Sequence, residues 1–205
     1  LKDPLRQVIF NFDLGKFNSL LKGDYEEVIT ETFVARKLDD VRYIFNECRK
    51  APVVSFDIEH LNNETVCIGF ATDTRKGYVL PFYDTERNLW TCEEELWIRD
   101  ELSELLKSIK VIGQNISSDL CWLWFKDRIR IHKVAGDTLL AHHLLYPTLP
   151  HNLGFLTSQY TWHPFYKDDG KTWRGQDEIE KYWEYNAKDT TLTLSIHNQL
   201  LLDLE

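Results

Sequence analysis

The 205-residue sequence lacks methionine, has only four cysteines and contains no hydrophobic run long enough to cross a membrane. A membrane-spanning helix needs roughly 20 consecutive apolar residues, so we expect no membrane partner. The start of the chain also lacks the basic segment and apolar stretch of a secretory signal. The cysteines form no CxxC pair, which favours reduced thiols in an intracellular, reducing compartment. The missing methionine predicts an excerpt from a longer polypeptide.

Basic residues are fewer than acidic ones: the chain has 24 lysines and arginines and 33 aspartates and glutamates, which gives a formal net charge of −9. Proteins that hold a long duplex through its phosphates are basic on one face. The charge therefore argues against broad, sequence-independent duplex binding. It still allows a pocket that takes one short nucleic-acid end and offsets the phosphate charge with bound metal. The sequence also has no glycine-rich phosphate loop.

What the sequence does contain is an alternation of short apolar runs and amphipathic segments over residues 28–205. Apolar runs predict five strands, at 28–34, 53–57, 65–73, 76–84 and 110–115, the second to fourth forming an antiparallel meander. Helical spacing predicts helices at 38–51, 92–109, 117–127, 137–146, 151–160 and 177–204. This order predicts an α/β domain with a mixed five-stranded sheet flanked by helices. Residues 1–27 are weakly patterned, and we expect an arm or linker with at most one short helix.

Acidic residues recur where the pattern predicts rigid, partly buried positions. Asp57 ends a buried strand, and Glu59 follows on the same face. Asp119 lies in the first turn of a helix, and Asp189 shares one face of the closing helix with Tyr185. Each pattern alone is weak in a chain with 33 acids and could be a helix-start acid or an exposed pair. As an ordered set, these carboxylates suit two hard divalent ions such as Mg²⁺ or Mn²⁺.

Three segments carry a family resemblance: "SFDIEH", "GQNISSDLCWL" and "YNAKDTTLTL". They resemble the three motifs of DEDD-type 3′–5′ exonucleases of the ribonuclease H-like fold, with the tyrosine form of the third motif. The resemblance is closest to the proofreading domain of family A DNA polymerases, of the bacterial polymerase I and phage type. It extends from about residue 28 to the end of the chain, and residues 1–27 have no counterpart.

The resemblance implies the catalytic residues and the cofactors. Asp57 would ligate both of two divalent metal ions, Mg²⁺ or Mn²⁺. Glu59 and Asp189 would hold the ion that carries the attacking water, and Asp119 would hold the second. Tyr185 would orient the water nucleophile. All five residues are present in this sequence.

The resemblance also implies contacts with the nucleic acid. Gln114 and Asn115 would contact the terminal nucleotides, and Leu61 is a candidate wedge against the last base. A further candidate is Trp173, which lies in an aromatic and basic loop and could stack on a base; local packing of that loop is an equal alternative.

The sequence therefore predicts a metal-dependent 3′–5′ exonuclease that hydrolyses single-stranded or frayed DNA 3′ ends to nucleoside monophosphates. The expected setting is proofreading beside a C-terminal polymerase domain of the same polypeptide, in the cytoplasm of a bacterium or a phage-infected cell. Two alternatives stay open. One is an RNA 3′-end trimming exonuclease, and the other is a non-catalytic module of a polymerase that binds DNA ends.

Overall fold

The structure is a computed structural model, and it describes residues 4–24, 30–84, 87–163 and 179–204. Within these ranges the chain forms seven helices and six strands. The helices are α1 (Pro4–Lys22), α2 (Leu38–Lys50), α3 (Cys92–Ser108), α4 (Ser117–Asp127), α5 (Thr138–Leu145), α6 (Leu153–Tyr160) and α7 (Ile179–Leu204). The strands are β1 (Glu31–Val34), β2 (Val54–Leu61), β3 (Glu64–Ala71), β4 (Lys76–Pro81), β5 (Val111–Gly113) and β6 (Val134–Asp137). None of these helices is long and apolar enough to span a bilayer.

The strands form one mixed sheet in the order β1-β4-β3-β2-β5-β6. β2, β3 and β4 pair antiparallel as the predicted meander. The pairs β1–β4, β2–β5 and β5–β6 are parallel. The predicted α/β architecture with a mixed sheet is confirmed, with six strands instead of five. The sequence missed β6 because its residues, VAGD, lie at an exposed sheet edge and lack apolar alternation.

The two faces of the sheet are covered by different helices, because side chains alternate along a strand. Phe56 and Ile58 of β2 pack in the larger hydrophobic cluster, to which α2, α3 and α4 also contribute. The opposite face is covered by α7, whose Trp183 packs with residues of β3 and β4. Asp57 and Glu59 alternate with the two apolar residues of β2, so they point towards α7.

Two glycines of the sheet let α7 approach closely. A Cβ at Gly77 would lie 2.6 Å from the Cβ of Ala187 and 2.7 Å from its carbonyl oxygen. A Cβ at Gly69 would lie 2.9 Å from the Cγ of Asn186. Real Cβ atoms do not come this close to other heavy atoms, so these positions bring α7 nearer to the sheet than any other residue would allow.

The first segment of the chain is more regular than the sequence predicts. Residues 4–22 form a single 19-residue helix, α1, where at most a short helix was expected. Phe12 of α1 makes edge-to-face contacts with Tyr146 and Tyr160, with ring centroids 5.7 Å and 5.5 Å away. The segment therefore packs against the helical part of the domain. The division of the chain at residue 27 stays a prediction.

Candidate active site

Three carboxylates converge where β2 faces α7. Ligand oxygens of Asp57, Glu59 and Asp189 all lie within 4.8 Å of one another. β2 places the first two on one face, and α7 supplies the third from above that face. Asp189 is only 5% exposed, and the other two are half-buried. The structure thus gathers like charges in a place that is partly removed from water.

The fourth predicted acid, Asp119, lies in the first turn of α4, beside this cluster. Its Oδ1 accepts a hydrogen bond of 3.0 Å from the backbone N–H of Ile58, the residue between Asp57 and Glu59. Burial raises the pKa of Asp119 to about 8, and the negative charge of Asp57 contributes to the increase. The four acids that are far apart in sequence therefore come together at one end of the sheet.

The corner between β5 and α4 fixes the position of Asp119. Asn115 occupies the left-handed region there, with φ of 56°. The carboxylate of Asp137 accepts the backbone N–H of Asn115 at 2.9 Å and that of Ile116 at 3.1 Å. It also caps α5 by accepting the N–H of Leu139 at 2.9 Å. Sequence reasoning missed this role of Asp137, although an aspartate directly before a helix is a strong capping signal.

The donor set fits divalent cations. Carboxylate oxygens are the ligands that Mg²⁺ and Mn²⁺ prefer. The raised pKa of Asp119 reflects burial together with repulsion from Asp57, and a cation would offset both. Asp57, Glu59 and Asp189 would hold such an ion, with Asp119 placed to contact a neighbouring one.

Without metal, the contribution of Asp119 to the stability of the protein is expected to fall as the pH rises from about 4 to about 8. Asp119 has a pKa of 3.8 as an ordinary aspartate and about 8 in the fold, so in this window the folded chain holds a proton that the unfolded chain has lost. The part of the free energy of unfolding that depends on Asp119 then falls as the pH increases, so the unaltered protein should lose stability relative to Asp119→Asn. Thermal unfolding in EDTA across this window measures the effect, and Asp119→Asn should weaken it. An equal pH dependence of the thermal midpoint in the unaltered protein and in Asp119→Asn would contradict the prediction.

Tyr185 lies one turn before Asp189 on α7, as predicted, and is half-buried. Burial raises the pKa of its hydroxyl, and the charges of Asp189, Glu59 and Asp57 raise it further. The hydroxyl therefore stays protonated at neutral pH and can donate a hydrogen bond. Its ring lies parallel to that of Tyr182, with centroids 6.3 Å apart.

Two further residues of α7 hold acids of the cluster in position, and sequence reasoning missed both. Tyr182 donates its hydroxyl to Oε2 of Glu59 at 2.7 Å. Asn186 donates from Nδ2 to Oδ2 of Asp57 at 2.7 Å. Both lie on the helix face of Asp189, Tyr182 seven residues and Asn186 three residues before it, so helical spacing could have revealed them. Partners of this kind orient metal ligands in other proteins.

Replacing Tyr182 with phenylalanine should lower the affinity for Mn²⁺ about 10- to 100-fold, because loss of a ligand's hydrogen-bond partner typically has this effect. The ring remains, and the hydrogen bond to Glu59 is lost. Isothermal titration with Mn²⁺ measures the change. Tyr43→Phe, on the surface of α2, is the control and should bind Mn²⁺ as the unaltered protein does. Unchanged affinity in Tyr182→Phe would show that Glu59 needs no such support.

Gln114, a predicted nucleotide contact, is bonded within the protein. Its Nε2 donates to the carbonyl oxygen of His151 at 2.7 Å. Its Oε1 accepts from the hydroxyl of Thr138. These bonds tie the β5–α4 corner to α5 and to the residues before α6. The nucleotide contact stays a prediction, and the observed bonds add a structural role.

The other predicted substrate contacts are placed differently. Leu61 is half-buried and packs against the cluster that contains Tyr182 and Trp183. Asn115 is exposed, and its Oδ1 accepts the hydroxyl of Ser117 at 3.3 Å. Trp173 lies outside the described residues. All three contacts with nucleic acid stay predictions.

Comparison with known proteins identifies the family. The family model for the 3′–5′ exonuclease of A-type DNA polymerases matches residues 33–205. No match was found among curated proteins.

Solved structures of other nucleases share the fold. The catalytic core of Rrp6 from Trypanosoma brucei has a TM-score of 0.65 at 15% identity, over 86% of this chain and 47% of that one. Escherichia coli RNase D has a TM-score of 0.63 at 14% identity, over 85% of this chain and 44% of that one. The chain thus spans about half the length of these two proteins. The Nibbler EXO domain of Aedes aegypti has a TM-score of 0.67 at 12% identity, over 88% of this chain and 94% of that one.

These findings agree with the geometry of the site. The family match covers most of the chain, including the segments that carry all four acids and Tyr185. The acidic cluster is compatible with a catalytic centre, and the related structures have the same α/β architecture. The chain belongs to the family of 3′–5′ exonucleases, of the DEDD type.

Proposed function

We propose that this chain removes nucleotides one at a time from the 3′ end of single-stranded or frayed DNA and releases nucleoside monophosphates. The observation that carries the proposal is the convergence of Asp57, Glu59 and Asp189 within 4.8 Å, with Asp119 beside them. The match to the exonuclease of A-type DNA polymerases supports DNA as the substrate. It also supports a proofreading role beside a polymerase domain in the same polypeptide.

Two divalent ions, Mg²⁺ or Mn²⁺, are the cofactors that the donor set favours. Asp57 belongs to the cluster of three acids and also lies near enough to Asp119 to raise its pKa, so it is the acid suited to serve both ions. When bound, such ions stabilise the attacking and leaving oxygens of an in-line displacement and lower the pKa of water.

The residues of the chain orient the reactants. Tyr182 and Asn186 hold Glu59 and Asp57 in position. Tyr185, kept protonated by its raised pKa, would donate a hydrogen bond to the water that attacks the last phosphorus. The bond between phosphorus and the 3′-oxygen then breaks, and that oxygen leaves as the hydroxyl of the shortened strand.

Trimming of RNA 3′ ends is the second candidate. It is favoured by the similarity to Rrp6 and to RNase D, an exoribonuclease involved in structured RNA processing. At 15% and 14% identity this similarity concerns the fold, so DNA remains the first proposal.

Matched 5′-labelled DNA and RNA oligonucleotides of one sequence separate the two candidates. We expect a higher kcat/KM on the DNA strand, with products that shorten by one nucleotide at a time from the 3′ end. A DNA strand with a 3′-terminal mismatch in a duplex should be degraded faster than its fully paired control. Preference for the RNA strand would reverse the assignment of substrate, and binding without cleavage of either strand would favour a non-catalytic module.

A further inference from the structure

A pair of stacked rings is carried by the same two elements, β2 and α4, that carry Glu59 and Asp119. His60 follows Glu59 in β2, and Trp122 lies three residues after Asp119, about one helical turn further along α4. Their rings are nearly parallel, with 8° between the planes and centroids 4.0 Å apart. His60 is exposed, and Trp122 is half-buried against the hydrophobic core. The exposed imidazole of His60 therefore lies against an indole that is anchored in the core.

The indole has a fixed orientation. Its Nε1 donates to the hydroxyl of Thr65 at 2.9 Å, and Thr65 is itself only 3% exposed. An aromatic ring held in this way loses little conformational freedom when a second flat ring stacks beside it. The stack is therefore preorganised for a planar ligand.

A cavity of about 330 Å³ opens next to this stack, lined by Asn63, Ser118, Cys121, Trp122, Phe125 and Lys126. Phe125 is 72% exposed, so most of its ring is open to a ligand in the cavity. Lys126 is fixed at the rim, because its Nζ donates to the carbonyl oxygen of Asn63 at 2.6 Å and lies 3.2 Å from Glu64. An apolar wall with an anchored cation at its edge suits an aromatic ring that carries a phosphate.

Further cations follow Phe125 and Lys126 at the end of α4 and in the segment after it, although the protein as a whole has a net charge of −9. Lys126 is followed by Asp127, which pairs with Arg99, and then by Arg128, Arg130 and Lys133. The two guanidinium groups lie over the ring of Trp124, with Cζ 5.5 Å and 4.1 Å from its centroid. Lys126 at the cavity and the arginines after the end of α4 give this part of the protein a local positive charge, which favours a nucleic-acid strand as the partner.

We propose that His60, Trp122, Phe125 and Lys126 form a nucleobase-binding surface, which stacks one base of the strand near its 3′ end. The inference rests on the proposed function in that the ligand is a single nucleic-acid strand. A base of the strand is the occupant that fits, because β2 and α4 carry both this surface and the acids Glu59 and Asp119, and because Lys126 adds a cation beside the aromatic rings. Stacking of a base on an aromatic ring is worth roughly 1–3 kcal/mol, or about 5- to 150-fold in affinity.

Binding and cleavage of one oligonucleotide series test the surface. Binding of a fluorescein-labelled single-stranded DNA in EDTA, followed by anisotropy, reports affinity without turnover. Phe125→Ala and His60→Ala should each weaken it at least about fivefold. In cleavage assays with Mg²⁺, Phe125→Ala should raise KM by a similar factor and leave kcat unchanged. Leu96→Ala is the control, because Leu96 is also exposed, at 65%, but lies on α3.

A scan with single abasic nucleotides locates the base. One abasic position near the 3′ end should weaken binding to the unaltered protein and have no effect in Phe125→Ala. Equal affinity of both variants and the unaltered protein would overturn the proposal of a nucleobase-binding surface. The same abasic profile in the unaltered protein and in Phe125→Ala would also overturn it. If the unaltered protein cleaves neither DNA nor RNA but these binding differences persist, the surface stands and the proposed function fails.

Discussion

Replacing Asp57 and Glu59 together with alanine is expected to abolish cleavage, with a loss of at least about a thousandfold in rate. Two carboxylates of the cluster disappear, and Tyr182 and Asn186 lose the oxygens to which they donate. Bound cations supply several kcal/mol of transition-state stabilisation in such reactions, and each ~1.4 kcal/mol is a factor of ten in rate. Timed cleavage of a 5′-labelled single strand with Mg²⁺ or Mn²⁺ measures the loss.

The fold should survive this double substitution, because removal of two neighbouring negative charges relieves repulsion with Asp119 and Asp189. Circular dichroism and the thermal midpoint in EDTA check this. A matched control removes two exposed acids, Asp39 and Glu104, whose side chains are 75% and 66% exposed. The control should cleave normally. If the double variant is nearly as active as the control, Asp57 and Glu59 do not belong to the active site.

Replacing Gly77 or Gly69 with alanine should have different effects. The change at Gly77 should mainly disturb the packing of α7 on the sheet, and the change at Gly69 should mainly disturb the hydrogen bond that holds Asp57. At Gly77 the added Cβ meets the backbone of Ala187, which cannot move without shifting the whole helix. Overpacking of this kind costs about 1–3 kcal/mol of unfolding free energy, and occasionally more. At Gly69 the Cβ meets the side chain of Asn186, which can rotate away but then loses its bond to Asp57.

We therefore expect Gly77→Ala to lose more stability, and Gly69→Ala to lose more Mn²⁺ affinity relative to its loss of stability. Chemical denaturation and isothermal titration give the two quantities. Gly15→Ala in α1 is the control, because a Cβ there meets no atom within 4 Å. If Gly69→Ala binds Mn²⁺ as tightly as the Gly15→Ala control, Asn186 has no part in positioning Asp57.

The central part of the fold could be predicted because its sequence is locally consistent. β2, β3 and β4 have continuous apolar runs separated by short turns, and α2 and α3 have strong helical spacing. α1 and β6 could not be predicted in this way. α1 lacks a strong apolar stripe and packs through single rings such as Phe12, and β6 depends on pairing with β5 at an exposed edge.

The acids of the site could be predicted because each stands at a recognisable position: a strand end, a helix start or the closing helix. Their partners were harder to foresee. Only the close approach of α7 to the sheet, permitted by Gly69 and Gly77, brings Tyr182 to Glu59 and Asn186 to Asp57. The orientation of Gln114 depends on His151, 37 residues later in the chain, and no local pattern indicates that contact.

The central claim is that the acidic cluster binds divalent cations that drive cleavage from the 3′ end. The most direct measurement is degradation of a 5′-labelled single-stranded DNA with Mg²⁺, with Mn²⁺ and with EDTA. The proposed function predicts a ladder that shortens one nucleotide at a time with either metal, and an intact strand with EDTA. Cleavage that persists in EDTA, or an intact strand with both metals, would contradict it.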